Sequence, residues 1–249
     1  MIEIHPLASI GEVHSGDDLA AMLDAALAAF DDRPGDVLVV TQKIVSKAEG
    51  RFVDLAAVTP GPEALRIADI TRKDARLVET VLAESTAVVR AAPHVLITRH
   101  RKGYVMANAG IDRSNLGSGS ADRVLLLPED ADESADRLRG ELATRFARQP
   151  AIVISDSFGR PWRHGVVCVA IGVSGLPSLV DKRGEHDRDG RLLEVTQIAM
   201  GDMIATAAGL ATGEGAEGIP AALVRGLPPP GRSSPASALV RPIEEDLFR

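Results

Sequence analysis

Apolar runs of strand length and amphipathic runs of helix length follow one another along this chain, but not in strict alternation. Strand-like runs occupy residues 37–40, 95–100, 104–107, 124–127, 151–154, 166–173, 193–196 and 219–224. Helical spacing of apolar residues occupies residues 19–30, 60–71, 75–83, 132–148 and about 198–210. This order favours an α+β (mixed α/β) fold, with mixed sheets and flanking helices, over a Rossmann sheet of strictly alternating units.

The composition supports a domain with an aliphatic core. The chain has 249 residues, of which 45% are hydrophobic but only 3% aromatic. This length suits a single domain over residues 1–249, with room for two intertwined subdomains. The net charge of −7 argues against a nucleic-acid partner, because proteins that bind nucleic acids usually show a basic face.

The pattern also predicts neither a targeting segment nor reactive cysteine chemistry. No basic segment followed by an apolar one opens the chain, and no apolar run reaches the length of a membrane span. We therefore expect no signal peptide, no contact with a membrane and a cytoplasmic location. Cys168, the only cysteine, lies in an apolar run and is typical of a buried, unreactive thiol.

Residues 154–165 (ISDSFGRPWRHG) follow the apolar run at 151–154 and are predicted to form a loop at a strand end. Asp156 and Ser157 offer oxygen atoms, which hard metal ions prefer as ligands. Arg160 and Arg163 offer guanidinium groups, which bind phosphate or carboxylate bidentately. The loop therefore suits a metal-bound, multiply charged substrate. The alternative is a solvated surface loop whose arginines pair with local acids.

Polar side chains follow two other predicted strands. Lys43 and Lys47 come after the strand at 37–40 and lie four residues apart, so on a helical turn both would face the same way and could hold phosphates. Asp112 follows the strand at 104–107 and is a candidate metal ligand. The alternatives are a solvated basic turn for the two lysines and an Asx turn for Asp112.

A fourth polar stretch precedes the last predicted helix. Gln197 can give a metal ion its amide oxygen, whereas Asp202 can equally serve to stabilise the helix dipole. The chain contains no P-loop, no H-E-x-x-H and no serine nucleophile elbow. Two carboxylates, two lysines and two arginines could together form a metal–triphosphate site, provided that the four stretches converge in space.

Four segments, in this order, resemble the coenzyme F-420-0:gamma-glutamyl ligases, also called F-420-0:L-glutamate ligases. They are residues 39–51 (VVTQKIVSKAEGR), 107–115 (ANAGIDRSN), 155–165 (SDSFGRPWRHG) and 241–248 (RPIEEDLF). The resemblance runs from residue 7 to the last residue and implies the unusual mixed fold of that family, an intertwined homodimer and no fused second domain.

The resemblance also implies an activity. Such an enzyme adds L-glutamate to coenzyme F-420-0 with GTP, through an acyl-phosphate intermediate, and then adds further γ-linked glutamates. It uses Mg²⁺ or Mn²⁺, often with K⁺, and its partners are these small molecules.

Site residues are carried over motif by motif. The implied metal ligands are Asp112, Asp156, Ser157 and Gln197. The implied GTP contacts are Ile10, Gly11, Glu12, Val13, Gln42, Lys43, Lys47, Asn115, Val195, Thr196, Gln197, Ile198, Ala199, Met200, Gly201 and Asp202. Arg160 and Arg163 are assigned to a substrate phosphate or to the carboxylate of glutamate, from their charge and loop position. With Asp112 and Asp156 they complete the predicted catalytic set.

Other functions would use the same residues. A metal-dependent phosphotransferase or hydrolase would use the charged site without forming an amide. A paralogous ligase would act on another phosphorylated carboxylate. A non-catalytic protein would bind a nucleotide or a deazaflavin without metal-dependent turnover of GTP.

Overall fold

The computed structural model describes residues 1–117, 122–228 and 231–246. Its strands are β1 (Glu3–Pro6), β2 (Val37–Thr41), β3 (Phe52–Asp54), β4 (Ser85–Ala92), β5 (Val95–His100), β6 (Val105–Ala107), β7 (Arg123–Leu125), β8 (Ala151–Arg160), β9 (Arg163–Ser174), β10 (Leu179–Asp181), β11 (Gln197–Ala199) and β12 (Ala221–Arg225). Its α-helices are α1 (Leu19–Leu27), α2 (Gln42–Ala48), α3 (Pro62–Thr71), α4 (Ala75–Ala83), α5 (Ala131–Phe146) and α6 (Met200–Thr212). The family-like segment at 241–248 continues past Asp246, so its last two residues lie outside the described part.

A five-stranded mixed sheet forms the centre of the fold, in the order β1-β12-β2-β8-β9. Only β2 and β8 run parallel, and the other neighbours in this sheet are antiparallel. The apolar runs of β2 and β8 are buried over Val37–Val40 and residues 151–154, as expected for strands covered on both faces. The predicted mixed α+β class is confirmed.

Helices cover both faces of this sheet. On one face, α1 and α5 pack on Leu38, Ile152 and Ile154. On the other, α6 packs on Val39 and Val153 through a core rich in alanine. Alternate residues of each central strand therefore serve opposite cores, which is the period-2 pattern of a buried strand. None of the described helices is long and apolar enough to cross a membrane.

A third core lies outside the central sheet. Helices α3 and α4 pack there against the three-stranded sheet β4-β5-β6 and the short pair β3-β7. Helix α4 starts where predicted, and the Asp74 carboxylate accepts a hydrogen bond from the Arg76 amide there. Helix α3 starts two residues after the predicted residue 60, with Pro62 in its first turn. This unit and the central sheet meet beside the end of β2.

Two sequence predictions were wrong. Residues 154–165 do not form a loop after a strand, because β8 continues to Arg160 and joins β9 through a two-residue turn. Beyond Ser155, the last residue paired with β2, β8 pairs only with β9, so its outer half need not be apolar. The strand predicted at 193–196 is irregular, and the regular pairing begins at Gln197 in β11.

Candidate functional site

A cleft of about 980 Å³ opens at the edge of the sheet where the parallel strands β2 and β8 end. Open α/β sheets commonly place ligands at the carboxyl ends of their strands. The cleft brings together residues from six separate parts of the chain. Among the predicted site residues it is lined by Ile10, Gly11, Glu12, Val13, Gln42, Lys43, Lys47, Asp112, Asn115, Asp156 and Ser157.

Helix α2 supplies the cationic side of the cleft. It follows β2 directly, so Lys43 and Lys47 lie one turn apart and both line the cavity. Lys47 is almost fully buried and pairs with the carboxylate of Glu12. The Lys43 ammonium donates to the carbonyl and hydroxyl oxygens of Ser114 at 3.3 Å and lies 3.6 Å from Asp112 Oδ2. Both charges are thus held toward the interior of the cleft.

Asp112 is fixed from two directions. Its backbone forms a bridge with Leu125, and its Oδ2 accepts a 2.8 Å hydrogen bond from Gln42 Nε2. The Ser46 hydroxyl donates to the other end of the Gln42 amide at 3.0 Å, which orients that side chain. Burial raises the pKa of Asp112, and the nearby Lys43 partly opposes this effect.

Asp156 projects into the cleft from β8. Burial is the main cause that raises its pKa from 3.8 to about 7, and the negative charge of Asp112 adds to the effect. Because the negative charge of Asp112 raises the pKa of Asp156, a cation bound near both carboxylates would favour their ionised forms. The two aspartates predicted from separate segments therefore meet at one site.

Glu214 is a functional candidate that the sequence reasoning missed. It lies in the loop 213–218 (GEGAEG) between α6 and β12, and it lines the cleft. The Ser157 hydroxyl donates to Glu214 Oε2, and the Cys168 thiol donates to Glu214 Oε1 at 3.2 Å. Burial raises the Cys168 pKa to about 12, so this thiol keeps its proton. The sequence signal for Glu214 was an acidic, glycine-rich loop that comes just before a strand.

These side chains offer a hard cation a suitable donor set. Asp112, Asp156, Ser157 and Glu214 present only oxygen atoms, which is the ligand chemistry of Mg²⁺ and Mn²⁺. No group of three or more His, Cys, Asp or Glu side chains within residues 1–117, 122–228 and 231–246 is arranged to hold a metal ion by itself. A metal in this cleft would therefore complete its coordination with hydroxyl, substrate and water oxygens.

The predicted residues 195–202 do not line the cleft of their own chain. Gln197 begins β11 and pairs with Asp181 on β10. Val195 is 84% exposed. Asp202 accepts a 2.9 Å hydrogen bond from the Ala170 amide and holds α6 against β9. In its own chain Asp202 therefore has a structural role.

Arg160 and Arg163 flank the turn between β8 and β9, outside the cleft. The Arg160 Nη2 donates to the carbonyl of His164 at 3.0 Å. Trp162 occupies the turn in a left-handed backbone conformation and is 83% exposed. The β8–β9 hairpin therefore places both arginines outside the cleft, although they lie close to Asp156 in the sequence.

Comparison with known proteins matches this chain to one family. The family model F420-0:Gamma-glutamyl ligase matches residues 8–226. A protein of Methanothermobacter thermautotrophicus is 43% identical over 241 residues, which cover 95% of this chain and 94% of that protein. A protein of Methanopyrus kandleri is 42% identical over 252 residues (100% and 98%), and one of Halobacterium salinarum is 46% identical over 220 residues (86% and 83%). All three are named coenzyme F420:L-glutamate ligase.

Proposed function

The chain belongs to the F420-0:gamma-glutamyl ligase family, and from this premise we propose that it joins L-glutamate to coenzyme F420-0 with GTP as the energy source. The relatives named above support glutamate ligation as the reaction. Dependence on GTP and passage through an acyl phosphate are further parts of the proposal. The observation that carries them is the convergence of Lys43, Lys47, Asp112 and Asp156 in one cleft.

The cleft has the charges that a metal-bound nucleotide needs. Lys43 and Lys47 would neutralise phosphate oxygens along one wall, and residues 10–13 would form the facing wall. Phosphoryl transfer depends chiefly on positioning and on electrostatic stabilisation of the transferring group. A divalent ion bound here would supply the latter by drawing negative charge away from the phosphates.

We assign the ligand set to Asp112, Asp156, Ser157 and Glu214, whose three carboxylates would have to move closer together on binding the ion, since no three such side chains among the described residues are arranged to hold one. Glu214 enters the set because it accepts a hydrogen bond from Ser157 and lines the cleft, whereas Gln197, which the resemblance implies as a ligand, lies on β11 outside the cleft of its own chain. Mg²⁺ or Mn²⁺ suits these oxygens. K⁺ remains a cofactor that only the resemblance suggests.

The reaction that we propose needs no covalent enzyme intermediate. A carboxylate oxygen of the acceptor attacks the γ-phosphorus of GTP, forming an acyl phosphate and releasing GDP. The deprotonated amine of glutamate then attacks the acyl carbon, an amide bond forms, and phosphate leaves. Lys43 and Lys47 would hold the phosphates, and exclusion of water by the bound substrates would protect the acyl phosphate from hydrolysis.

A homodimer is part of the proposal. The sheet β4-β5-β6 exposes Val88, Val89, Val95 and Val105, an apolar surface that a second copy could cover. Light scattering coupled to gel filtration would measure the mass directly. A monomer at all accessible concentrations would contradict this part of the proposal and leave the assignment of the cleft intact.

The test of the function is product analysis. The protein is incubated with F420-0, GTP, L-glutamate and Mn²⁺ or Mg²⁺, and the products are measured by mass spectrometry. We expect glutamylated coenzyme and GDP in equal amounts for the first addition. GTP turnover without consumption of glutamate would indicate a phosphotransferase or hydrolase, and binding of GTP without turnover would indicate a non-catalytic protein.

A further inference from the structure

A second cavity, of about 410 Å³, adjoins the cleft at the turn between α3 and α4. Three cationic side chains line it: Arg72, Lys73 and Arg113. Its volume falls in the range of small-molecule sites.

The backbone explains why two of these cations are adjacent. Helix α3 is capped by Arg72, which follows its last residue, takes a left-handed conformation and donates its amide to the carbonyl of Ala68. The chain then turns sharply, so that Asp74 caps α4 only two residues later. Cations at the end of a helix also stabilise its dipole, and this could be their whole purpose. Stabilisation of the helix dipole does not explain Arg113, which comes from a different segment and lines the same cavity.

The positive charge of this cavity is not neutralised within the described chain. None of Arg72, Lys73 and Arg113 makes an ion pair or a side-chain hydrogen bond to a described residue. Asp74 is the acid of the lining, but the guanidinium of Arg76 binds it at 2.6 Å and lowers its pKa to about 2. Three uncompensated cations around one cavity are unexpected in a chain of net charge −7 and favour an anionic ligand.

The cavity is continuous with the proposed catalytic cleft. Ile111 and Ser114 line both spaces. Ser114 accepts hydrogen bonds from Lys43, the lysine that lies 3.6 Å from Asp112. The anion-binding side chains thus adjoin the carboxylate that we assign to the metal, and a short ligand can be bound here while one of its groups points toward the cleft.

We infer that this cavity binds the carboxylates of the incoming L-glutamate, an inference that rests on the ligase function proposed above. GTP is assigned to the cleft itself, through the lysines of α2. The deazaflavin ring of the acceptor needs a broad apolar or aromatic surface, and none of the described residues that line this cavity is aromatic. Glutamate is small and carries two carboxylates, which match guanidinium and ammonium donors on two sides of the cavity.

The test uses Arg72→Gln, Arg113→Gln and the double variant, with kinetics measured separately for glutamate and for GTP. Losing a charge-assisted hydrogen bond typically weakens binding by about tenfold or more, so we expect the KM for glutamate to rise about tenfold in each single variant and further in the double variant. The KM for GTP should stay within about twofold of the wild type. Arg66→Gln is the matched control, because Arg66 lies on α3 but pairs with Glu63 away from the cavity.

Calorimetric titration of glutamate into protein loaded with Mg²⁺ and a non-hydrolysable GTP analogue separates this inference from the ligase proposal. Binding by the wild type that is lost in Arg113→Gln supports the cavity even if no product forms. An unchanged KM for glutamate in the double variant, or a rise in the KM for GTP instead, overturns it. Thermal unfolding of each variant shows whether the fold is retained.

Discussion

The hydroxyl of Ser157 donates a hydrogen bond of 2.5 Å to Oε2 of Glu214, although the two residues are 57 positions apart. The other oxygen of Glu214 accepts from the Cys168 thiol, so the carboxylate is held at both ends. Its negative charge also contributes to the raised pKa of Asp156. A loop after α6 and two residues of the β8–β9 ribbon thus join into one acidic site.

Glu214→Gln should abolish most of the activity without unfolding the protein. The amide keeps the size of the side chain but removes the charge that we assign to metal binding. We expect turnover to fall by about two orders of magnitude, as is typical when one group that stabilises a transition state is lost. Steady-state rates over a range of Mn²⁺ concentrations check this, with Glu185→Gln on the exposed segment before β11 as the control. Equal metal dependence in wild type and Glu214→Gln would remove Glu214 from the ligand set.

Asp156→Asn should lose activity to a similar extent while changing how stability depends on pH. The pKa of Asp156 in the folded protein, about 7, lies above its ordinary value of 3.8, so the folded state binds more protons between these pH values. The free energy of unfolding of the metal-free protein therefore falls as pH rises through about 7. Urea unfolding at pH 5 and pH 8 should show this loss in the wild type and a smaller one in Asp156→Asn. An identical pH dependence in both proteins would mean that Asp156 ionises normally.

Much of the fold follows from the sequence, because several elements carry their own start signals. Helix α4 has the predicted bounds 75–83, since Asp74 caps it and its apolar residues recur at helical spacing. The outer half of β8 was not predicted, because it carries no such signal. It pairs with β9 beyond the rest of the sheet, so its residues lack the apolar pattern by which a strand is recognised.

The candidate site likewise contains residues that the sequence predicted and one that it did not. Lys43, Asp112 and Asp156 were found because each stands in or just after an apolar run, near a strand end. Glu214 stands before a strand, and it reaches the same edge only because β12 runs antiparallel to β2, with Ala221 opposite Val40. The direction of strand pairing depends on contacts between distant segments, which one sequence does not display.

Binding of Mg²⁺ should release protons most strongly below pH 7. Asp156 is substantially protonated there in the metal-free protein, because burial and the Asp112 charge raise its pKa to about 7, and a cation can bind its ionised form only after the proton leaves. Calorimetric titrations at pH 6 in two buffers of different ionisation enthalpy should give different apparent enthalpies, and at pH 8.5 the difference should shrink. Asp156→Asn should show little difference at either pH. No buffer dependence in the wild type would contradict the proposed role of Asp156.

We expect any substitution of Gly172 to disturb the packing of α5 on the sheet. It lies on β9, where an added Cβ would come within 2.1 Å of the Ala131 carbonyl oxygen at the start of α5. Since backbone cannot move aside cheaply, Gly172→Ala must displace α5 from the sheet, which we expect to destabilise the protein by about 1–3 kcal/mol. Thermal unfolding would then occur at a lower temperature than in the wild type.

Gly140→Ala tests the same substitution without the collision. Gly140 lies on the exposed side of α5, and an added Cβ would meet no atom within 4 Å. Because alanine is the better helix former by about 1 kcal/mol, this variant should unfold at a slightly higher temperature. Opposite shifts in the two variants would show that the backbone contact between β9 and α5 makes glycine necessary at position 172. Equal shifts would mean that α5 can move away from the sheet at little cost.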